Sequence, residues 1–175
     1  SMNTIASLTR VDPDLAEQVV QDLSDLFRAT LSDADKASTL EREFDLARGY
    51  LRIEAQRLGG RLRVHWDVEG VPTDTRLPAL LLQPLLENAV YHGIEPATDG
   101  GEITISGRCR KGVVSLAVRN TLPQGPREAT RPGNRMAQEN VRQRLDAAYG
   151  DAAGMVLGQV DGCYQVRFHF PVAAP

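Results

Sequence analysis

The chain has 175 residues, 42% hydrophobic and 25% charged, with a formal net charge of -3, which fits one substantial core, or one domain with a short appendage, and excludes a disordered chain. That charge makes nucleic acid a poor partner, and no apolar run reaches the length needed to cross a bilayer. Cys109 and Cys163 lie far apart and form neither a CxxC nor a Cys/His pattern, so neither a disulfide scaffold nor a zinc site is indicated, which fits a reducing cytoplasm.

Ser1 and Met2 read as the remnant of an expression tag, so a longer parent chain is expected, with any membrane part outside these residues. Asp12 followed by Pro13 is a helix start, a capping carboxylate before a ring pre-set for the first turn. From there Leu15, Val19, Leu23, Leu26, Phe27 and Leu31 recur at three- and four-residue steps and form one apolar stripe. Such a stripe needs a partner, so this helix either pairs with another chain or packs back on the domain. The polar stretch 32–38 interrupts it. Ser38 and Glu41 have capping-box spacing ahead of a second amphipathic helix that runs to about Leu58 and stops at Gly59 and Gly60.

Residues 61–68, RLRVHWDV, alternate apolar and polar as a half-buried strand does. A helix is predicted over 77–92, with Pro84 starting its main segment or kinking it. EITISGRCR and GVVSLAVRN read as two strands turning at Gly112. Residues 121–135, rich in Pro and Gly, read as a long loop, a kind that is usually functional or mobile. MAQENVRQRLDAAYG is a helix closed by Gly150, and a final hairpin turns near Asp161-Gly162. Helices with mostly antiparallel strands imply a two-layer α/β sandwich, one sheet covered on one face.

Within the 77–92 helix, Glu87 and Asn88 sit side by side in an otherwise apolar run. Asn88 and His92 share one face at four-residue spacing, with Glu87 and Tyr91 on the next row. An amide oxygen and a carboxylate are hard ligands suited to Mg2+, which keeps water and phosphate oxygens as its other ligands. The Pro/Gly loop leads through Gly133 to a helix N-terminus, where free amides favour phosphate. Such an Asn-Glu pair is more often the solvated side of a helix, a His before a Gly more often suits a helix C-terminus, and Asn120 at a strand end is more often a turn residue.

The whole string decides between these readings. LPALLLQPLLENAVYHGIEP resembles the N-box of LytS/AlgZ-type sensor histidine kinases, and GNRMAQENVRQRLDAAYG resembles their last glycine-bearing block. Residues 3–31 and 40–62 look like that family's segment after the phosphoacceptor histidine and its connection to the ATP-binding domain. The resemblance implies a partial dimerisation and phosphotransfer helix over 1–35 and a Bergerat-type ATP-binding catalytic domain over 36–175, with a mixed, mostly antiparallel sheet. It implies ATP and Mg2+ as cofactors, Asn88 as metal ligand and Glu87 as a lesser metal, water or proton partner. It places His92 against adenine, Asn120 where the family has an aspartate that accepts the adenine amino group, Gly133 at the lid and Met136 near the base. The acceptor histidine belongs to a motif expected just before Asn3. The implied partners are a homodimer mate and a response regulator, with the domain cytoplasmic in a membrane-anchored parent.

The sequence departs from the family pattern on the nucleotide side. Tyr91 replaces a lysine, Asn120 replaces aspartate and loses charge-assisted strength, and Arg135 and Ala137 stand where the lid has glycines. Arg135 restores the charge that Tyr91 removes if both face the triphosphate. These departures resemble the AlgZ branch, which works with LytTR-type regulators. They also leave a second reading, a degenerate kinase that serves as a non-catalytic interaction module.

Overall fold

The computed structural model describes residues 2–32, 37–123 and 134–172. Helices α1 (Met2–Val11) and α2 (Pro13–Ser32) run in series, joined at Asp12. The Asp12 side chain accepts from the Leu15 amide at 3.1 Å, the cap that the Asp-Pro pair predicts. Strand β1 (Ala37–Thr39) leads directly into α3 (Leu40–Leu58). Strand β2 (Leu62–Asp67), the short β3 (Arg76–Pro78), α4 (Leu82–Ala89), β4 (Gly101–Arg110) and β5 (Val113–Thr121) follow. The chain then returns as α5 (Asn134–Tyr149), β6 (Gly154–Val160) and β7 (Cys163–Pro171).

The main sheet has the order β2-β4-β5-β7-β6. Only β2 and β4 are parallel, and every other neighbouring pair is antiparallel. One face of it carries the core. Ile103, Ile105, Val114, Leu116, Val118, Val166, Phe168 and Phe170 alternate inward and meet Phe44, Leu51, Leu82, Leu86 and Leu145 from the helices. This is the predicted two-layer sandwich. Both predicted hairpins form on two-residue turns, Lys111-Gly112 and Asp161-Gly162, with all four residues at positive φ as a right-handed twist requires.

The apolar stripe of α2 is split between two fates. Ala16, Val19 and Ala29 are buried, and the buried Asp22 receives Nε of Arg52 on α3 at 2.7 Å. Phe27 and Leu31 on the same helix remain 59% and 84% exposed. The helix therefore packs back on the domain through Ala16, Val19, Ala29 and one ion pair, with Leu15, Leu23 and Leu26 half-buried and Phe27 and Leu31 left outside.

Two predicted boundaries change. Thr39, not Ser38, caps α3: the helix opens at Leu40, and the Thr39 hydroxyl accepts from the Arg42 amide at 3.3 Å. The helix predicted over 77–92 starts later, at Leu82, because Arg76–Pro78 pair with Ala37–Thr39. Pro84 falls in its first turn, where a missing N–H costs nothing.

What starts α4 there is a side chain far away in sequence. Glu43 of α3 is 2% exposed, and its carboxylate accepts from the amides of Leu80, Leu81 and Leu82 at 2.7, 2.9 and 3.2 Å. Those are donors that a helix start leaves without partners, and an anion there also suits the helix dipole. Burial raises the Glu43 pKa above the ordinary carboxylate value, outweighing the three amides and the Arg144 charge that lower it.

Replacing Glu43 with Ala strips three largely buried donors of their acceptor and is expected to cost about 2–4 kcal/mol in denaturant unfolding. A raised native pKa means that the native state holds the proton more tightly than the unfolded chain does. The Glu43 contribution is therefore complete below the unfolded value and declines as pH rises through the native one. Chemical denaturation at stepped pH should show that decline in the parent and a flatter profile in Glu43→Gln.

Candidate nucleotide and metal site

Helix α4 continues beyond Ala89 as a wider π-turn, Val90–Ile94. This turn brings Gly93 against the sheet. The far end of this segment is clamped as firmly as its start. Nη2 of Arg61 donates to the carbonyls of Glu95 and Ala97 at 2.8 and 2.9 Å, and more weakly to that of Ile94 at 3.4 Å. Arg57 is ion-paired with both Glu54 and Glu95. A cation at the C-terminal carbonyls complements the carboxylate at the N-terminal amides.

Between these clamps lie four of the predicted site residues. Glu87 is exposed and accepts from Nε2 of Gln83, one turn earlier, at 3.1 Å. Tyr50 of α3 lies within reach of this carboxylate: burial first, then the charges of Glu54 and Glu87, push its hydroxyl pKa up. Asn88 is half-buried, and its Nδ2 is shielded from solvent with no acceptor among the described residues. The other amide atom, Oδ1, is the kind that a hard cation takes. Tyr91 is 45% exposed and sits edge-on to the half-buried His92, ring centroids 4.9 Å apart.

Asn120 joins them from the sheet. On β5 it faces the helical layer and is 4% exposed, and its Nδ2 donates to the Thr121 carbonyl at 2.9 Å. Gly93 lies over it so closely that a Cβ there would fall 2.3 Å from that nitrogen and 3.0 Å from the Thr121 carbonyl oxygen. The next strand places Tyr164 opposite Asn120, and Gln138 of α5 donates to the Tyr164 hydroxyl at 2.8 Å. Met136 stands apart. It is 78% exposed, on a groove of about 530 Å3 that it shares with Met155 and Leu157. Gly133 and the side chain of Arg135 lie outside the described residues.

Glu43, Arg61 and Gly93 are the residues that spacing alone misses. A signal for Glu43 exists in the sequence, because it interrupts the apolar face formed by Leu40, Phe44, Ala47 and Leu51. A carboxylate on a buried face calls for a buried partner. Among the described residues no group of three His, Cys, Asp or Glu side chains could hold a metal, so Asn88 and Glu87 can supply only part of a coordination shell.

The comparisons agree with this architecture. The histidine kinase family model matches residues 1–62. The sensor histidine kinase YpdA of Escherichia coli K12 is 30% identical over 179 residues, covering 98% of this chain and 31% of YpdA. The sensor histidine kinase/phosphatase LytS of Staphylococcus aureus is 35% identical over 107 residues, covering 61% of this chain and 18% of LytS. The chain thus spans a third or less of these relatives' length. The catalytic domain of histidine kinase ThkA, in a nucleotide-free form, superposes with a TM-score of 0.57 at 16% identity, covering 78% of this chain and 94% of that domain. ThkA has also been solved in complex with its response regulator TrrA.

Arg61→Met keeps the aliphatic stem and removes the carbonyl clamp. Amide exchange across residues 90–97 should then speed up by roughly tenfold, the equivalent of one to two hydrogen bonds. Exchange within the β4–β5 hairpin should change little. Equal acceleration in both regions would show that Arg61 acts on global stability and not on the turn. The sheet order, the helical layer and the sequence matches together identify the chain as a member of the histidine kinase family.

Proposed function

We propose that residues 36–175 bind Mg2+-ATP and present its γ-phosphoryl group to a histidine outside this chain, with residues 1–35 forming part of the dimerisation and phosphotransfer helix. The observation that carries this reading is the junction at Gly93. Through it the helix bearing Glu87 and Asn88 ends directly on the buried Asn120, so a metal-side donor and a base-side acceptor belong to one rigid unit. Asn88 Oδ1 would hold Mg2+, and Glu87, steadied by Gln83, would orient water or accept a proton. Tyr91 and His92 would flank the nucleotide, with Gly133 and Arg135 on the phosphate side and Met136 beyond. The bound ion would neutralise charge along the triphosphate, and the protein's own contribution would be positioning.

The parent protein, on this reading, is a dimeric, membrane-anchored sensor of the AlgZ-like branch that keeps this domain in the cytoplasm and phosphorylates a LytTR-type response regulator. The ThkA–TrrA complex supports a regulator as partner. Among the described residues no helix is long and apolar enough to cross a membrane, so an anchor would lie elsewhere in the parent.

Calorimetry with ATP should give binding that EDTA abolishes. Asn88→Ala should weaken it by about tenfold to a hundredfold, the range for losing a contact to a charged group. No heat at millimolar Mg2+-ATP, or an unchanged affinity in Asn88→Ala, would remove the basis of the proposal.

A further inference from the structure

The helices and the core occupy one face of the main sheet. The residues that alternate to the other face form a second surface, on which Arg63, Arg108, Arg110, Arg167 and His169 are exposed. Strand pairing sets them in rows. Arg167 stands between Ala117 and Val156, and one row along Arg119 stands between Thr104 and Gln165. In the row on the other side, Arg108 and His169 flank Ser115.

Acidic groups on this face are few and already engaged. Asp67 accepts from Arg108 at 2.6 Å, and Glu102 pairs with His65 at 3.0 Å. Among the described residues Arg63, Arg110 and Arg167 have no carboxylate partner, and the Arg119 guanidinium is bonded to the Cys163 sulfur. The chain as a whole nonetheless has a net charge of -3. On the helical side, α2 holds Asp14, Glu17, Asp22 and Asp25 against Arg28 alone. Charge is therefore separated between the two sides of the molecule, so an anionic surface would attract the sheet and repel α2.

We infer that the open face of the sheet is a docking surface for an anionic lipid bilayer. A bilayer is the partner this geometry fits, because the cations are spread over four adjacent strands with Thr104, Ser115 and Ala117 between them, a broad flat array and not a groove that reads one acidic segment. Val156 and Val160, 72% and 49% exposed on β6 at one margin, are apolar residues that the interfacial region of a bilayer accepts. Each Lys or Arg held near an anionic membrane adds about fivefold to the affinity. Such attraction is weak for a free domain, but anchoring of the parent would hold the face at high effective concentration beside the lipid. Anchoring belongs to the reading proposed above, and the vesicle experiment does not depend on it.

Co-sedimentation with vesicles of phosphatidylcholine, alone or mixed with phosphatidylserine, tests the surface. The chain should sediment with the mixed vesicles at low salt, stay in solution with phosphatidylcholine alone, and bind less as salt rises. The triple variant Arg63→Ser, Arg110→Ser, Arg167→Ser should bind about a hundredfold more weakly at an unchanged melting temperature. A second triple variant, Arg10→Ser, Arg28→Ser, Arg42→Ser, removes the same charge from the helical side and should bind like the parent. No sedimentation with the mixed vesicles at low salt, or equal losses in the two triple variants, would overturn the inference. Binding to soluble polyglutamate without binding to vesicles would do the same, by making the partner an acidic protein. Vesicle binding in a chain that takes up no nucleotide would support this surface and sink only the ATP reading.

Discussion

The contact on which the site depends is the one between the Glu43 carboxylate and the three amides that open α4. An eight-residue helix is too short to be stable alone, and α4 has no side-chain cap of its own. Its start is fixed instead from α3, by a buried carboxyl group whose oxygens take the free amides. Its end is fixed from just beyond α3, by the Arg61 guanidinium on the closing carbonyls. α3 and the turn just after it thus supply both brackets for α4, a carboxyl group at its start and a guanidinium at its end. The residues between them, including Glu87 and Asn88, inherit a fixed axial position.

The sheet completes what the brackets begin. The pairing of β4, β5 and β7 sets Ile103, Asn120 and Tyr164 side by side, so the polar pair sits at the margin of a floor that is otherwise apolar. The π-turn delivers Gly93 onto that margin, and the missing side chain allows the helix to close on the amide. Polar groups at this margin are few and almost all occupied. Among them Asn88 Nδ2 is shielded from solvent without an acceptor among the described residues.

Much of this organisation was legible in the sequence because it is local. The Lys111-Gly112 and Asp161-Gly162 turns, the stop at Gly59 and the strand alternations each depend on residues within a few positions of one another. The start of α4 was not legible in that way. It is decided by Glu43, almost forty residues earlier, and by β3 pairing with β1, so helical periodicity ran on through Leu77 and Pro78 without meeting a stop signal. The cap of α3 was off by one residue, since Ser38 and Thr39 are similar caps by residue type and nothing local tells at which of them the helix opens. For the candidate site, spacing alone favoured the bland reading of Glu87 and Asn88, and only the longer string pointed to nucleotide. The fit of Gly93 on Asn120 joins residues that no pattern connects.

Arg144 carries one more consequence. From the middle of α5 its Nη1 donates to the Ala79 carbonyl at 2.9 Å, and its charge bears on Glu43. A shift of α5 along its axis would therefore withdraw a donor from the residue just ahead of α4 and a counter-ion from the group that caps it. The two helices are mechanically geared, so travel at one is registered as strain at the threshold of the other.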